Sequence, residues 1–314
     1  MVSTIMLCYN QAHFVVECLE GIKAQNYPNM ELIVNDDAST DDSVSVIKRW
    51  LAKHGTFATR LLHSRVNQGI CRSMNNALAV ARGKYVAGIA ADDAWLPGKL
   101  LQQVELFEKL PGRVGVLYSD TQLIDERGKL LPETFLESGN RKGCLLNVPQ
   151  GNVQAALWRT NFIAPMTTLV RRECYTCVGP FDESLFAEDW DMWLRISGQY
   201  EFVYSPEISA KYRMVGTSAS NGQFSRLIDD MCRTCLKHLR NGQMEPEARR
   251  AAIARLHALA STSYQQKSPR HKRNLLQAMR YAPSFGMGGR LLLACSGVNA
   301  DTCERFRSLL KLEW

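Results

Sequence analysis

Three short acidic segments are the part of this chain best suited to chemistry. They are residues 36–41 (DDASTD), Asp92-Asp93 and residues 188–191 (EDWD), in that order. The first two follow apolar runs at 31–34 and 85–90, whose composition indicates buried strands of a parallel sheet. The carboxyl ends of such strands form the crevice in which open α/β sheets bind ligands. Carboxylates that share a crevice repel one another unless a cation joins them, so we expect a divalent metal and a phosphorylated ligand.

The segments around these acids alternate between strand and helix patterns. Predicted strands cover residues 3–8, 31–35, 58–63, 85–90 and 114–118, and predicted helices cover 13–25, 42–54 and 70–81, with a fourth starting at Pro97. Gly83 is expected to close the third helix in the C′ position. This β-α-β-α order requires a parallel sheet with crossover helices. Farther along, the sequence predicts strands at 167–171, 202–204 and 208–212, and a helix at 187–198.

Composition bounds the class of protein. The chain has 314 residues, 46% of them hydrophobic and 22% charged, which is enough for one large domain and a smaller one. No apolar run reaches the length of a membrane span, and the N-terminus has neither the basic start nor the long apolar core of a signal peptide. Ten cysteines without a secretory signal suggest reduced thiols, so we expect a cytoplasmic protein.

Charge divides the chain into two predicted domains, residues 1–220 and 221–314. The second holds 16 Lys/Arg and 7 Asp/Glu, a net charge of +9, while the first has a net charge of −2. This helical, basic C-terminal region suggests contact with an anionic surface such as a membrane or a lipid-phosphate acceptor. A solvated helical surface is the simpler interpretation. Nucleic-acid binding is disfavoured, because the region lacks interleaved aromatic residues and any RNA-binding or zinc-finger signature.

Two common phosphate-binding motifs are missing from the sequence. Residues 8–12 (CYNQA) follow the first predicted strand, where a dehydrogenase would carry Gly-x-Gly-x-x-Gly, and no Gly-x-x-x-x-Gly-Lys-Ser/Thr loop occurs. Dinucleotide-binding dehydrogenases and P-loop nucleotidases are therefore disfavoured.

A set of ordered motifs instead resembles inverting family 2 glycosyltransferases of the GT-A fold. The resemblance runs from Ser3 to about Ser220, roughly two thirds of the chain. The motifs that carry it are Tyr9-Asn10, residues 36–41, Asn67-Gln68-Gly69 with Asn75, residues 83–86, Asp92-Asp93, residues 179–183 (GPFDE), residues 188–193 (EDWDMW) and Tyr212-Arg213. The resemblance implies an α/β fold, with a mostly parallel, Rossmann-like sheet flanked by helices and a C-terminal helical appendage.

The resemblance also implies a site for a nucleotide sugar. Tyr9 would pack on the nucleobase, and Asp37 would accept a hydrogen bond from the base or the ribose. A turn-capping role is the alternative for Asp37, and the two roles are compatible. The full set of residues expected at this site is Cys8, Tyr9, Asn10, Asp37, Gly69, Arg72, Asp92 and Arg213.

Asp92-Asp93 resembles the metal motif of the family. The usual form carries another acid two places before Asp92, where this chain has Ala90. Asp92 and Asp93 are therefore the expected ligands of Mg²⁺ or Mn²⁺, which needs few protein carboxylates when diphosphate oxygens complete its shell. Strand-end capping is the alternative for this pair.

Glu188-Asp189 resembles the catalytic-base motif of the family. The base must take a proton from an acceptor hydroxyl as the oxygen attacks the anomeric carbon. Helical spacing puts Asp189 and Trp193 on one side and turns Asp191 away, so Asp189 is the first candidate base and Asp191 the second. The alternative is that these acids only favour a helix N-terminus.

Two departures from the family pattern concern positive charge. Many relatives have a His two residues after Tyr-Arg, where this chain has Val215, and an Arg before Asn75, where it has Met74. Arg213 or Arg72 is expected to supply the charge. The other interpretations are a weaker leaving-group site or a chain that has lost activity. Two Cys-x-x-Cys pairs, Cys174/Cys177 and Cys232/Cys235, suggest buried thiols, with structural zinc as the alternative.

The sequence thus predicts a metal-assisted inverting glycosyltransferase. Its expected donor is a nucleoside-diphosphate sugar, with UDP-sugars favoured, and its expected acceptor is a glycan or glycolipid in surface polysaccharide or glycolipid assembly. It is expected in the cytoplasm, with peripheral contact at the inner face of the membrane and no nucleic-acid partner. The alternatives are a non-catalytic sugar-nucleotide-binding protein and a nucleotidyltransferase, and the Glu188-Asp189 motif favours sugar transfer over the latter.

Overall fold

The computed structural model describes residues 1–54, 58–144, 146–185, 188–215 and 224–296. The chain divides into two compact units, one of residues 1–184 and 188–215 and the other of residues 185–187 and 216–314. The predicted domain boundary at residue 220 lies outside the described residues.

A mixed α/β architecture forms the first unit. Its strands are β1 (Val2–Cys8), β2 (Met30–Asp36), β3 (Ala58–His63), β4 (Tyr85–Ala90), β5 (Ala94–Trp95), β6 (Val114–Ile124), β7 (Leu130–Thr134), β8 (Leu169–Arg171) and β9 (Glu201–Arg213). Its helices are α1 (Val15–Lys23), α2 (Ser43–His54), α3 (Ile70–Val80), α4 (Lys99–Glu108), α5 (Gln154–Arg159), α6 (Arg172–Val178) and α7 (Glu188–Ile196). Short 3₁₀ helices cover Gly139–Cys144 and Pro165–Thr167.

The described strands form one sheet, in the order β3-β2-β1-β4-β8-β6-β9-β5, with β7 paired to β6. The parallel pairs β1·β2 and β1·β4 align Cys8 with Asp36 and Leu7 with Ala90. These three strands therefore end side by side, and they present the residues that follow them at one edge of the sheet. The mostly parallel, helix-flanked sheet expected from the sequence is confirmed.

Beyond β4 the sheet is no longer wholly parallel. The three-residue strand β8 inserts antiparallel between β4 and β6. The two short strands predicted at 202–204 and 208–212 are one long strand, β9, which runs parallel to β6. Its register shifts near Tyr204–Ile208, where Pro206 lacks a backbone N–H and leaves the ladder through a bulge.

Gly83 has a different role from the predicted helix cap. The C-cap of α3 is Ala81, in an extended conformation, so Gly83 lies beyond the C′ position. A Cβ on Gly83 would lie 2.5 Å from the backbone nitrogen of Ser3, and the Gly83 N–H donates to Ser3 Oγ at 2.8 Å. Gly83 is required because the chain entering β4 passes directly against β1.

A buried lysine lies in α4, close to the strand that follows Asp92-Asp93. Lys99 is 1% exposed, and its Nζ donates to Gln103 Oε1 at 2.7 Å and to the Thr168 carbonyl at 3.2 Å. The ammonium also lies 4.7 Å from the centroid of the Trp95 ring. Burial lowers the pKa of Lys99 to about 7.

This lysine predicts a pH dependence of stability. Between pH 7 and about pH 10 the unfolded chain binds more protons at this position than the folded one, so the free energy of unfolding rises with pH. We expect Lys99→Met to lose this contribution. Urea unfolding at pH 7 and pH 9 should therefore show wild type gaining on the order of 2 kcal/mol relative to Lys99→Met. The exposed Lys109→Met is the matched control, and an equal pH response of Lys99→Met and wild type would refute the prediction.

Four helices form the described part of the second unit. They are α8 (Phe224–Asn241), α9 (Pro246–Gln265), α10 (His271–Tyr281) and α11 (Phe285–Ser296). A buried polar network joins three of them, because Asp229 accepts hydrogen bonds from Asn274 Nδ2 at 2.7 Å and from Ser263 Oγ at 3.2 Å. No helix within the described ranges combines the length and hydropathy needed to cross a bilayer.

Candidate active site

The turn after β1 interlocks with the acidic segment after β2. Asn10 has a positive φ of 54°, a conformation that asparagine adopts more readily than most residues. Its N–H donates to Ser39 Oγ at 2.8 Å, and its Oδ1 accepts from the Thr40 N–H at 2.8 Å. Tyr9 is 45% exposed beside this turn, which makes its ring available to a ligand. Cys8 is buried, and burial raises the pKa of its thiol to about 12.

Asp36 and Asp37 hold the loops at this edge of the sheet. Asp36 is fully buried and lies 2.9 Å from His63 Nδ1. Asp37 Oδ1 accepts from the Gln68 N–H at 2.9 Å, and its Oδ2 accepts from the Gly69 N–H at 2.8 Å. Asp37 therefore anchors the start of α3, as the turn-capping interpretation requires. Each carboxylate oxygen has a second lone pair, so ligand binding by the same group is compatible with this role.

Gly69 is the N-cap of α3 and needs its glycine backbone. Its φ is 87°, in a region that other residues rarely adopt, and the space around its missing Cβ is open. One turn along α3, Arg72 Nη2 lies 2.6 Å from Glu183 Oε2. Asn75 also contacts the residues before Glu183, with its Oδ1 accepting from the Phe181 N–H at 2.8 Å. The predicted motif at 179–183 is thus docked on α3.

Asp92 and Asp93 follow β4 directly, at the edge where β1 and β2 end. Asp93 is 2% exposed, and its Oδ1 accepts from the Arg213 N–H at 2.9 Å. Asp92 is half-buried, and Gln11 Nε2 lies 3.4 Å from its Oδ2. Burial raises the pKa of both carboxyls, and the neighbouring charge of Asp92 raises that of Asp93 further. The pair concentrates negative charge where water solvates it poorly.

This pair meets the chemical requirement of a divalent-cation site. Two adjacent carboxylates are hard oxygen donors of the kind that Mg²⁺ and Mn²⁺ prefer, and a cation would offset the repulsion within the pair. No three His, Cys, Asp or Glu side chains gather into a metal cluster within the described residues. A cation on Asp92 and Asp93 would thus complete its shell with ligand oxygens and water.

Arg213 joins Asp92-Asp93 to two other elements. Its side chain is 2% exposed, and its Nε donates to the Asp92 carbonyl at 2.8 Å. Its Nη2 pairs with Glu17 of α1, and its guanidinium lies 4.7 Å from the centroid of the Phe14 ring. Both arginines expected to supply positive charge therefore already pair with carboxylates, Arg213 with Glu17 and Arg72 with Glu183.

Asp189 lies at the N-terminal end of α7. Its Oδ2 accepts from Asn161 Nδ2 at 3.1 Å, and its Oδ1 accepts from the Trp190 N–H at 2.7 Å. Burial raises the pKa of this carboxyl above the ordinary value, which increases its basicity. A hydrogen-bonded carboxylate with a raised pKa suits a general base.

Asp191 has different surroundings from Asp189. It is 1% exposed, and its Oδ2 accepts from Arg195 Nε at 2.9 Å. Arg195 also donates from Nη1 to the carbonyls of Val178 and Gly179, at 2.8 and 3.1 Å. This buried ion pair fastens α7 to the end of α6.

Tyr212 connects the candidate base with the candidate metal ligands. Burial is the main cause of its raised pKa, and the charges of Asp93, Asp189 and Asp92 raise it further, while Arg141 lowers it. All three carboxylates therefore lie within electrostatic range of one phenol hydroxyl. The charges of the second and third acidic segments, about 100 residues apart in sequence, thus act on one side chain.

Sequence patterns do not mark several residues of this site. Tyr212 is predicted only as a member of the Tyr212-Arg213 motif, and no pattern points to Asn161, Gln11 or Arg141. Asn161 and Arg141 lie in residues 126–165, whose clusters of Pro, Gly and Asn predict an irregular segment, although the structure forms β7, a 3₁₀ helix and α5 there. A long predicted loop inside a compact domain is itself a signal of function, and it is the signal that points to these two residues.

The cysteine pairs and Val215 contribute no additional ligand to this site. Cys174, Cys232 and Cys235 are buried free thiols, and Cys177 is exposed. The two pairs belong to different units, and no described trio of metal-binding side chains includes them. The structure therefore supports buried thiols at three of these positions.

Comparison with known proteins decides the family. The family model "Glycosyl transferase family 2" matches residues 3–152. Residues 3–152 of this chain therefore form a glycosyl transferase family 2 domain. The match includes the Tyr9-Asn10 turn and the segments of Asp37, Gly69 and Asp92-Asp93, so the family shares the part of the sheet edge described above.

Individual relatives agree with this family 2 assignment. The putative glycosyltransferase EpsE of Bacillus subtilis is 30% identical over 197 residues, covering 62% of this chain and 66% of the relative. The UDP-Glc:alpha-D-GlcNAc-diphosphoundecaprenol beta-1,3-glucosyltransferase WfgD of Escherichia coli is 25% identical over 233 residues, covering 72% of this chain and 82% of the relative.

A solved structure shows the same fold. The mannosyltransferase PcManGT of Pyrobaculum calidifontis, in complex with GDP-Man and Mn²⁺, superposes with a TM-score of 0.64 at 22% identity. The superposition covers 94% of this chain and 79% of that one. The GT-A fold expected from the sequence is confirmed.

Proposed function

We propose that this family 2 chain is an inverting glycosyltransferase. It transfers a sugar from a nucleoside-diphosphate sugar, UDP-sugars being favoured, to a hydroxyl of a glycan or glycolipid acceptor. The observation that carries the proposal is the acidic pair Asp92-Asp93 at the sheet edge where β1, β2 and β4 end, with Asp189 near enough for its charge, like theirs, to raise the pKa of Tyr212. A metal-binding pair and a carboxylate base in one region of the fold fit a displacement in which one bond forms as another breaks.

In the proposed reaction, Asp189 accepts the proton of the acceptor hydroxyl. The freed oxygen attacks the anomeric carbon on the side opposite the diphosphate, and the bond to the diphosphate breaks, so the configuration inverts. Asn161 Nδ2 donates a hydrogen bond to Asp189 Oδ2 and so holds the carboxylate in place. Asp191 acts on the fold through Arg195 and is assigned no step, so Asp189 is preferred over it.

Asp92 and Asp93 are the residues that would hold Mg²⁺ or Mn²⁺. A bound divalent cation supplies charge neutralisation for the departing diphosphate. Mn²⁺ in the PcManGT complex supports this proposal. Arg213 positions the pair from its buried contacts with Asp93 Oδ1 and the Asp92 carbonyl.

The remaining donor contacts are proposed at the ends of β1 and β2. Tyr9 packs on the nucleobase, and Asp37 accepts a hydrogen bond from the base or ribose while holding the Gly69 loop. Cys8 and Asn10 contribute through the turn they form, because Cys8 is buried and Asn10 is bonded to Ser39 and Thr40. Arg72 lies in the first turn of α3, and its guanidinium forms an ion pair with Glu183.

A thermal-shift screen of nucleotide sugars with Mn²⁺ tests the donor assignment. A donor at 100 times its Kd should stabilise the protein by roughly 2.7 kcal/mol. UDP-sugars should give the largest shifts, and a screen in which no nucleotide sugar shifts the transition would refute the proposal. The competing function, a non-catalytic sugar-nucleotide-binding protein, predicts a shift without any hydrolysis or transfer of the donor.

The acceptor and the location are proposed from the relatives and from charge. The name of WfgD specifies a diphosphoundecaprenol acceptor, which supports a role in surface polysaccharide or glycolipid assembly. We place the protein in the cytoplasm, with its second unit in peripheral contact with an anionic membrane. Residues 248–300 contain nine Lys/Arg and no Asp or Glu. On α10, exposed Lys272, Arg273 and Arg280 surround Leu276, which is 43% exposed.

Liposome binding tests this contact. Each basic side chain near an anionic surface contributes about 1 kcal/mol, so we expect Arg273→Glu/Arg280→Glu to weaken binding to vesicles containing phosphatidylglycerol by at least 10-fold. The matched control is Arg226→Glu/Arg240→Glu, which reverses two exposed charges on α8. Binding should also fall with added salt. Equal losses in the two double variants would argue against the α10 surface, and no binding at low salt would refute the membrane contact.

A further inference from the structure

Arg141 is a cationic side chain that ring contacts connect to Tyr212, the residue before Arg213 of the candidate site. It lies in the 3₁₀ helix Gly139–Cys144, within the irregular segment after β7. Its guanidinium lies 3.9 Å from the centroid of the Phe135 ring. The Phe135 ring in turn packs on the ring of Tyr212, with 6.1 Å between the two centroids. A continuous chain of contacts therefore leads from Arg141 to Tyr212, whose neighbour Arg213 donates its backbone N–H to Asp93 Oδ1.

The guanidinium of Arg141 is held in place before any ligand arrives. Its Nε donates to the Phe135 carbonyl at 2.7 Å, and its Nη2 donates to Ser138 Oγ at 2.5 Å. Phe135 is itself fixed to β6, because its N–H donates to the Thr121 carbonyl at 2.9 Å. An arginine restrained in this way loses little conformational entropy on binding an anion.

The charge balance of the site explains why a cation is needed here. Asp92, Asp93 and Asp189 carry three potential negative charges, and a diphosphate ligand adds more. Arg213 and Arg72 are paired with Glu17 and Glu183, and the family histidine is replaced by Val215. Arg141 is the cation that the Phe135 and Tyr212 rings connect to this part of the site.

We propose that Arg141 binds a phosphate oxygen of a diphosphate ligand in the candidate active site. This inference rests on the proposed function, since it assigns a ligand to the same site. The diphosphate has two possible sources, the departing group of the donor and the diphosphate of a prenyl-linked acceptor. Both present the same anionic oxygens, which a planar guanidinium recognises well.

Calorimetric titrations with Mn²⁺ test this assignment. The probes are UDP, GDP, inorganic pyrophosphate and citronellyl diphosphate, and the variants are Arg141→Gln and Arg141→Lys. Lys142→Gln is the matched control, because Lys142 is the neighbouring cation and pairs with Glu133 on the surface. We expect Arg141→Gln to weaken binding by about 10- to 100-fold, Arg141→Lys to restore part of it, and Lys142→Gln to change nothing.

The set of probes whose binding Arg141→Gln weakens identifies the source of the diphosphate. Weaker binding of UDP, GDP and pyrophosphate assigns Arg141 to the donor, while a loss confined to citronellyl diphosphate assigns it to the acceptor. Equal affinities of Arg141→Gln and wild type for all four probes, at unchanged melting temperature, overturn the proposal, and so does a wild type that binds none of them. A wild type that binds pyrophosphate but no nucleoside diphosphate refutes the proposed function, and pyrophosphate still reports on Arg141.

Discussion

Asp189→Asn should reduce sugar transfer by about 10²- to 10⁴-fold while leaving nucleotide binding nearly unchanged. The asparagine amide keeps the shape of the side chain and can still accept the hydrogen bond from Asn161. Because an amide is a much weaker base than a carboxylate, only the proton transfer is lost. Initial rates of transfer, measured beside the Kd of UDP with Mn²⁺, separate these two effects. Equal transfer rates for the variant and wild type would rule out Asp189 as the base.

Asp191→Asn provides the contrast within the same helix. Asp191 is the buried partner of Arg195, so its loss should lower the free energy of unfolding by about 3 kcal/mol and should not act specifically on the chemical step. A normal melting temperature combined with a large loss of transfer in Asp191→Asn would reverse the two assignments.

The pH profile of transfer offers a second readout for Asp189. A general base acts only when it is deprotonated, so the rate should rise with pH as Asp189 loses its proton. Burial raises the pKa of this carboxyl, which places the rise above the range of an ordinary aspartate. The residual transfer activity of Asp189→Asn should not show this rise with pH.

Removal of the metal should weaken nucleotide binding about as strongly as Asp189→Asn reduces the rate of sugar transfer. We expect UDP to bind in the presence of Mn²⁺ and to lose most of its affinity in EDTA, in Asp92→Ala and in Asp93→Ala. The reason is that two poorly solvated carboxylates oppose a diphosphate unless a divalent cation lies between them. The matched control is Asp42→Ala, because Asp42 is an exposed carboxylate directly before α2. This variant should bind UDP normally.

The two metal-site variants should differ in stability. Asp92 has one side-chain contact, with Gln11 at 3.4 Å, while Asp93 accepts the backbone N–H of Arg213 inside the protein. Asp93→Ala should therefore also lower the melting temperature, and Asp92→Ala should not. Undiminished UDP binding in EDTA would show that the phosphates are held without metal, and Arg141 would then be the first residue to test.

Local patterns predicted the first half of the fold well. The strands at 58–63 and 85–90 match the structure residue for residue. For residues 85–90 the reason is a continuous apolar run bounded by turns, which leaves little choice of element. The three-residue strand β8 could not be predicted in its antiparallel place, since its partners β4 and β6 are separated from it by long stretches of chain. Pairings of this kind are set by the tertiary fold and leave no local signal.

The same contrast between local patterns and tertiary contacts applies to the candidate site. Helical spacing predicted different surroundings for Asp189 and Asp191, and the two carboxylates have different partners, Asn161 and Arg195. The partners of Arg213 and Arg72 could not be foreseen, since Glu17 and Glu183 are 196 and 111 residues away in sequence. Sequence patterns identify side chains that can do chemistry, whereas the distant contacts that engage them emerge only in the folded chain.

The anomeric configuration of the released sugar tests the central claim most directly. The protein, Mn²⁺ and the α-linked nucleotide sugar with the largest thermal shift would be followed by ¹H NMR, with water as the slow acceptor. We predict that the β anomer appears first, in step with free nucleoside diphosphate, and that both signals are lost in EDTA and in Asp189→Asn. Initial release of the α anomer, or no cleavage of any nucleotide sugar that binds, would contradict the account.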